Sequence, residues 1–556
     1  MSEIFKPALS QGGPLNHPVK ALSSLAAALA RAAAADEQIG IHVVDRAGQV
    51  VFFSYREVYQ RAQAIAARLL AAGARPGSNV LIRLADPMSF LLAFWGAVVG
   101  GFAVVPLAAS NPWPDDELAL RGVVSALKQL DATVMWVAGD ELERVASAKA
   151  RFGWDELTVI NGDMLSITTA DAEPIAVSER CAADLAVIFP TSGSTGVPKP
   201  VMQTGDAILS MCAGGILMND FSPTDCFLNW MPMDHVGAVV FLGVLPVCAG
   251  ASQVHIAHGL VRQDVTRWLD FIEQYRATVT WVPNYVFHVV AKALLQRTDA
   301  NWDLSSMRFL VNAGESISTR FAEHFVDRLA QHGLRRQSVR PAFGMSETCS
   351  GITWPTGLSV VDGRYASLGK PIAGAEIRIV DEQGAVLLEG DVGALQVKGP
   401  SVTCGYYNAG QDEKFLVDGW FDTGDRAFIL NGELYMTDRE GDGIDVAGQN
   451  LHSYELEAQL EELTGVAAGY CAVCKVVEQG RTVLGVFYCA EQGGDAVALL
   501  SQIQQVVAQQ ISDIAVHYFP CSQTDIPRTS IGKIQRKALR RRLVAWLAEQ
   551  PDMARS

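Results

Sequence analysis

The residues with the clearest capacity for chemistry lie between Phe189 and Val201, in the run FPTSGSTGVPKPV. An apolar strand, LAVIF, leads into Thr191, Ser192, Gly193, Ser194, Thr195 and Gly196, and Lys199 follows. Small residues let the backbone turn tightly and direct amide groups toward an anion. The hydroxyls add donors and the lysine adds a positive charge. This is the chemistry of a loop that cradles a polyphosphate. It is not a Walker A loop, because GxxxxGK[ST] is absent. Of ten cysteines, only Cys471 and Cys474 form a CxxC, inside the strand-like run AGYCAVCKVV. No second ligand pair lies nearby, so reduced cysteines of a cytoplasmic protein are the expectation, rather than zinc or a disulfide.

The elements that must position such a loop belong to a large chain. Its 556 residues exceed one ordinary core and imply two or more domains. With 49% hydrophobic and 19% charged residues, the chain is expected to fold rather than remain disordered. A net charge of -16 argues against a nucleic-acid partner, which needs a broad basic face. The start, MSEIFKPALSQGGPLNHPVK, lacks the pattern of a secretory signal. The apolar run 90–109 is long enough to span a bilayer, but Gly100 and Gly101 divide it into a buried helix and a buried strand, so no membrane span is expected.

Residues 22–36 read as a helix, and IHVVDRAGQVVFFSY as a hairpin turning at Asp45–Gly48. Helical segments then alternate with short apolar strands, VLIRL, ATVMWVAG, LAVIFP, TVTWVP and FLVNAG, as far as about residue 340. That alternation predicts α/β layers with largely parallel sheets. After residue 365 short alternating strands with glycine-rich turns predict a β-rich subdomain. The glycine- and aspartate-dense run REGDGIDVAG marks a domain boundary. The fold class expected is therefore α/β: a large domain over 1–438, with its β-rich subdomain at about 366–438, and a small α+β C-terminal domain over 442–556.

The phosphate-loop string resembles the signature of the adenylate-forming superfamily: acyl-CoA synthetases, firefly-type luciferases and the adenylation domains of peptide synthetases. Further segments match in order from about residue 40 to 543; Pro200 departs from the usual glycine. The resemblance implies a ligase that uses ATP and Mg2+ to convert a small-molecule carboxylic acid to acyl-AMP, with release of pyrophosphate. Acyl transfer to a thiol follows, the acceptor being coenzyme A or the phosphopantetheine of a carrier protein. An amino-acid-activating domain and a luciferase-type oxygenase share these motifs.

By the same resemblance, FGMSET places Phe343 beside adenine, Ser346 at the α-phosphate and Glu347 on magnesium. NAGES supplies Asn312, Ala313, Gly314 and Glu315 to the adenine side. GWFDTGD gives Asp425, and TDRE gives Arg439, for the ribose hydroxyls, where a carboxylate can accept two hydrogen bonds. PRTSIGK carries Lys533, the lysine expected to contact both the acid's carboxylate and the α-phosphate. In MPMDHVG, His235 takes the position of a gate between acyl pocket and thiol tunnel. The residue after it, Val236, then stands where amino-acid-activating domains carry an aspartate, which favours an acid without an α-ammonium; shifting by one puts Asp234 there instead. Gly237, Trp281, Asn312, Gly344 and Met345 complete the expected pocket, with Val282, Pro283 and Cys349 as neighbours. The small domain is expected to be mobile, pivoting over residues 439–441 with Gly441 as hinge. The basic run from Arg536 is expected to be solvated surface or a docking face for a carrier.

Overall fold

The computed structural model describes residues 6–109, 113–164, 181–191, 199–295, 297, 301–410, 412–439, 443–446, 449–478, 481–491, 493, 495–511 and 514–550; for 438, 439, 443, 445, 446, 449 and 450 only the backbone is described. Ser192–Gly196 of the expected phosphate loop and the expected hinge residue Gly441 fall outside the described residues, as does the Arg439 side chain.

Two layered sheets organise the large domain. One has six strands, in the order Thr158–Asn161, Ala132–Val137, Asn79–Arg83, Ala103–Pro106, Leu185–Thr191 and Lys199–Thr204. Only the last pair is antiparallel, so the expected phosphate loop connects two adjacent strands. The other has nine strands, and its centre runs parallel through Ser252–Ile256, Cys226–Asn229, Val279–Val282, Phe309–Ala313 and Val339–Met345. The expected hairpin, Gly40–Val44 with Val50–Ser54, forms its edge.

Local sequence explains why these elements start and stop. The run 90–109 resolves into a helix, Pro87–Val99, and a strand, Ala103–Pro106. Asp86 caps the helix through the Ser89 amide and proline occupies the first turn, where its missing N–H costs nothing. All its residues except Val98 are buried, so its apolar surface meets protein rather than lipid. No helix among the described residues is long and apolar enough to cross a membrane.

The β-rich layer differs from a subdomain built of 366–438 alone. Its five antiparallel strands include Leu9–Gln11, which pairs with Glu376–Val380. A three-residue edge strand carries too little pattern to be read locally. The C-terminal region holds a three-stranded sheet, Val466–Glu478, Arg481–Ala490 and Ala515–Cys521, and the basic helix Arg536–Ala548. Cys471 and Cys474 lie in the first of these strands. Their spacing of three puts them on opposite faces, one in each of two separate apolar clusters. Both are free thiols, and their opposite faces do not bring the two sulfurs to one place.

Candidate functional site

The parallel strands of the nine-stranded sheet end at Val282, Ala313 and Met345, and the expected site residues gather at these carboxyl ends. Chain entering a tight turn after a parallel strand offers free amides and side chains to one crevice.

Lys533 arrives there from the C-terminal region. Its ammonium lies over Gly314, so close that a Cβ at that position would stand 2.8 Å from Nζ. Gly314 also has φ of +92°, a conformation that L side chains rarely adopt. The missing side chain at Gly314 leaves room for this ammonium. The loop bearing Lys533 is held on both sides. Within it, the Lys533 amide donates to Thr529 Oγ1 at 3.1 Å and Arg528 Nη1 donates to the Gly532 carbonyl at 2.9 Å. Across to the large domain, Ile531 is buried in the main core, and its carbonyl accepts from Tyr285 Oη at 3.2 Å. Ser530 Oγ donates to Asp234 Oδ2 at 2.6 Å. The structure therefore holds the arrangement in which the lysine faces the site.

His235 stacks on Trp281, ring centroids 4.9 Å apart and planes 14° from parallel. Its Nδ1 accepts from the Gly237 amide at 3.1 Å, which leaves the proton on Nε2. Burial first, and the nearby Lys533 ammonium second, push its pKa down to about 3, so the ring is neutral. Next to it Val236 is buried, and the chain enters a π-helix over Gly237–Val244. Burial raises the pKa of Asp234, despite the hydrogen bond from Ser530.

Asn312 is not brought to this pocket. Trp281 pairs in register with Val311, and Val282 with Asn312. Successive side chains of a strand face opposite ways, so Asn312 shares a face with Val282 and points away from Trp281. Glu315, expected near adenine, instead accepts from the Tyr285 amide at 2.8 Å and caps the helix Asn284–Leu294. Ala313 ends its strand beside Gly314.

A second corner forms around Glu347, which is 8% exposed. Its Oε1 accepts from Tyr406 Oη at 3.0 Å, and its carbonyl accepts from the Thr403 amide. The Lys199 ammonium sits 4.8 Å from the centre of the Tyr406 ring and 2.6 Å from Asp412 Oδ2. Burial acts to raise the Asp412 pKa, but the Lys199 hydrogen bond and charge leave it lowered. Thr191, at the other end of the phosphate loop, donates through Oγ1 to the Lys199 carbonyl at 2.9 Å. Phe343 and Gly344 lie at the end of the strand Val339–Met345; a Cβ at Gly344 would stand 2.0 Å from the Ser350 carbonyl. Ser346 opens a short turn whose carbonyl accepts from the buried Gln203, and Gln203 Oε1 accepts in turn from the Cys349 thiol at 2.8 Å. This bracing accompanies positive φ at both Cys349 and Ser350. Asp425 is buried and lies opposite Arg439 in the antiparallel pair Phe421–Leu430 and Glu433–Arg439.

Tyr406, Asp412, Gln203, Ser530 and Tyr285 escaped the sequence reading. Lys199 and Asp412 are 213 positions apart, and Ser530 and Asp234 are 296 apart, so no local pattern links them.

Comparison with known proteins agrees with this geometry. Residues 30–407 match the family of AMP-binding enzymes. The structure of McyG A-PCP complexed with phenylalanyl-adenylate superposes with a TM-score of 0.90 at 33% identity, covering 96% of each chain. A keto acid-selecting nonribosomal peptide synthetase module gives 0.89 at 29% identity, over 99% of this chain and 48% of that one. Atromentin synthetase of Tapinella panuoides is 28% identical over 521 residues, and the chain spans about half (53%) of its length. The chain thus belongs to the AMP-binding enzymes of the adenylate-forming superfamily, AMP-forming ligases that use ATP to activate a carboxylic acid for transfer to a thiol.

Proposed function

We propose that the acid activated here is apolar and aryl-bearing and lacks an α-ammonium group, an aromatic 2-oxo acid being the best fit, and that its acceptor is the phosphopantetheine of a carrier protein. The observation that carries the reading is the stacked pair His235 and Trp281 beside Lys533. A neutral imidazole on an indole offers a flat aromatic wall and no charge for an ammonium. Asp234, the one acid in this segment, is engaged by Ser530 of the lysine loop. Of two solved relatives, the one holding phenylalanyl-adenylate supports the aryl group, although its ligand carries an ammonium, and the one selecting keto acids supports the missing ammonium.

Chemistry follows from charge. A carboxylate oxygen of the acid attacks the α-phosphorus of ATP, and the bond to pyrophosphate breaks. Two anions must meet, so an ammonium between them both aligns and stabilises them; we assign this to Lys533. Lys199 serves the outer phosphates, and Asp425 with Arg439 the ribose. Bound Mg2+ neutralises phosphate charge, and Glu347 would hold it. A single buried carboxylate suits that ion, which takes its other ligands from phosphates and water. Among the described residues no cluster of three metal-binding side chains competes for the role. Thiol transfer then requires the Ser530–Asp234 and Ile531–Tyr285 contacts to part, with Gly441 as the proposed pivot.

Acid-dependent pyrophosphate exchange, measured on acids that share a phenyl side chain, tests the reading. The 2-oxo acid should exceed the 2-amino acid by about tenfold or more, as expected of a pocket that leaves an ammonium unpaired. Preference for the amino acid would overturn it. Thioester formation should be faster on a phosphopantetheinylated carrier than on coenzyme A.

A further inference from the structure

At the opposite, amino-terminal edge of the same sheet lies a cavity of about 500 Å³, within the range of small-molecule sites. Arg308, Arg335 and Arg340 line it together with Phe309, Trp354 and Asp220. Five residues of strand separate Arg340 from Met345, roughly 17 Å, so this cavity is distinct from the acid and ATP site.

Its charge is unbalanced. Arg308 is held by Asp225, with Nη1 donating to both carboxylate oxygens at 2.7 and 2.8 Å. Arg335 and Arg340 make no ion pair among the described residues; Arg335 reaches only the Met307 carbonyl at 3.4 Å, and Arg340 Nη1 donates to the Pro355 carbonyl at 2.6 Å. The buried Nε of Arg340 has no hydrogen-bond partner. The single acid on the wall, Asp220, pairs with none of the three. Both Arg308 and Arg340 lie against the Phe309 ring, at 5.6 and 4.4 Å from its centre. Burial, then repulsion from Arg308, pushes the Arg340 pKa down to about 10. A protein with net charge -16 thus concentrates uncompensated positive charge around one cavity. Guanidinium groups with free donors are the usual partners of carboxylate and phosphate, which they bind through paired hydrogen bonds.

We infer that this cavity is a second ligand site, for a small oxyanion, carboxylate or phosphate, carried on a flat apolar body. The anion would meet the guanidinium groups of Arg335 and Arg340, and the apolar body would rest against Phe309 and Trp354.

Calorimetric titration of the full chain with inorganic phosphate and, separately, with benzoate tests this. Saturable binding of one or both is expected; phosphate alone would identify a phosphate ester as the ligand class, benzoate alone an aryl carboxylate. Arg335→Ala and Gln337→Glu, both at the exposed mouth, should weaken binding at least about tenfold while pyrophosphate exchange stays at the wild-type rate. Gln337→Glu should also raise the unfolding temperature, because it supplies the missing counter-charge. Lys199→Ala, which alters the ATP site, should leave this binding intact. No saturable binding, or binding lost in Lys199→Ala and kept in Arg335→Ala, would overturn the inference.

Discussion

At the scale of single residues, the site works by placing charge where two anions meet. Lys533 is positioned by Ile531, buried in the large domain's core, and by Ser530 on Asp234. Lys533→Ala should lower pyrophosphate exchange by at least about a hundredfold, the usual effect of removing a positioned transition-state donor. Thioester formation from a supplied acyl-adenylate should persist, since that step has no need of this ammonium. Equal loss in both assays would show that Lys533 does more than adenylation. Lys533 and Glu347 were legible as motif residues because their immediate neighbours are distinctive. Tyr406 and Asp412 were not, since each is defined by a partner far along the chain. Asn312 and Glu315 show the converse: a motif carried them to the right loop, but strand parity turned one away and a helix terminus claimed the other.

At the scale of elements, the loop Pro527–Gln535 is the critical part. Gly532 has φ of +86°, and a Cβ there would stand 2.0 Å from Tyr285 Oη. Gly532→Ala therefore carries two penalties: the left-handed backbone, roughly 1–2 kcal/mol, and a clash at the docking surface. Exchange should fall by about tenfold or more, while transfer from supplied acyl-adenylate should be spared. Adding Tyr285→Ala should restore part of the exchange, because it removes the clash and leaves the backbone cost. No rescue would mean that the backbone conformation alone decides docking. Periodicity located the strands that end at the site, but the order in which they pair was not written in any of them.

For the whole molecule, docking of the small domain buries ionisable groups between the two parts. Arg364 with Glu455 at 2.9 Å and Arg320 with Glu462 are exposed pairs of small worth. The pair His288 Nε2 and Glu461 Oε2, 3.6 Å apart, is buried on both sides. Burial, chiefly, raises the Glu461 pKa from 4.5 to about 8, so its contribution to the native structure is whole below 4.5 and is lost as pH climbs through 8. Burial lowers the His288 pKa from 6.5 to about 4, so its contribution is whole above 6.5 and is lost as pH falls through 4. The unfolding temperature should be highest between about pH 4.5 and 6.5, and should decline from there toward pH 8 on the alkaline side and toward pH 4 on the acid side. Glu461→Gln should flatten the alkaline limb, and an unchanged limb in that variant would assign it to another group.

What the amino-acid sequence determined by itself was local. Hydrophobic periodicity set strands and helices, the Asp86-Pro87 start and Gly100-Gly101 break made a helix and strand out of an apolar run, and seven short motifs named the chemistry. Those signals act over a few residues, where backbone sterics and side-chain pattern suffice. Only the tertiary structure decided which distant atoms meet: Lys533 over Gly314, Asp412 on Lys199, Leu9–Gln11 on the edge of the β-rich sheet, and three arginines around one cavity. Such contacts are set by the packing of whole layers, which fixes positions hundreds of residues apart at once, and no window of sequence contains both partners.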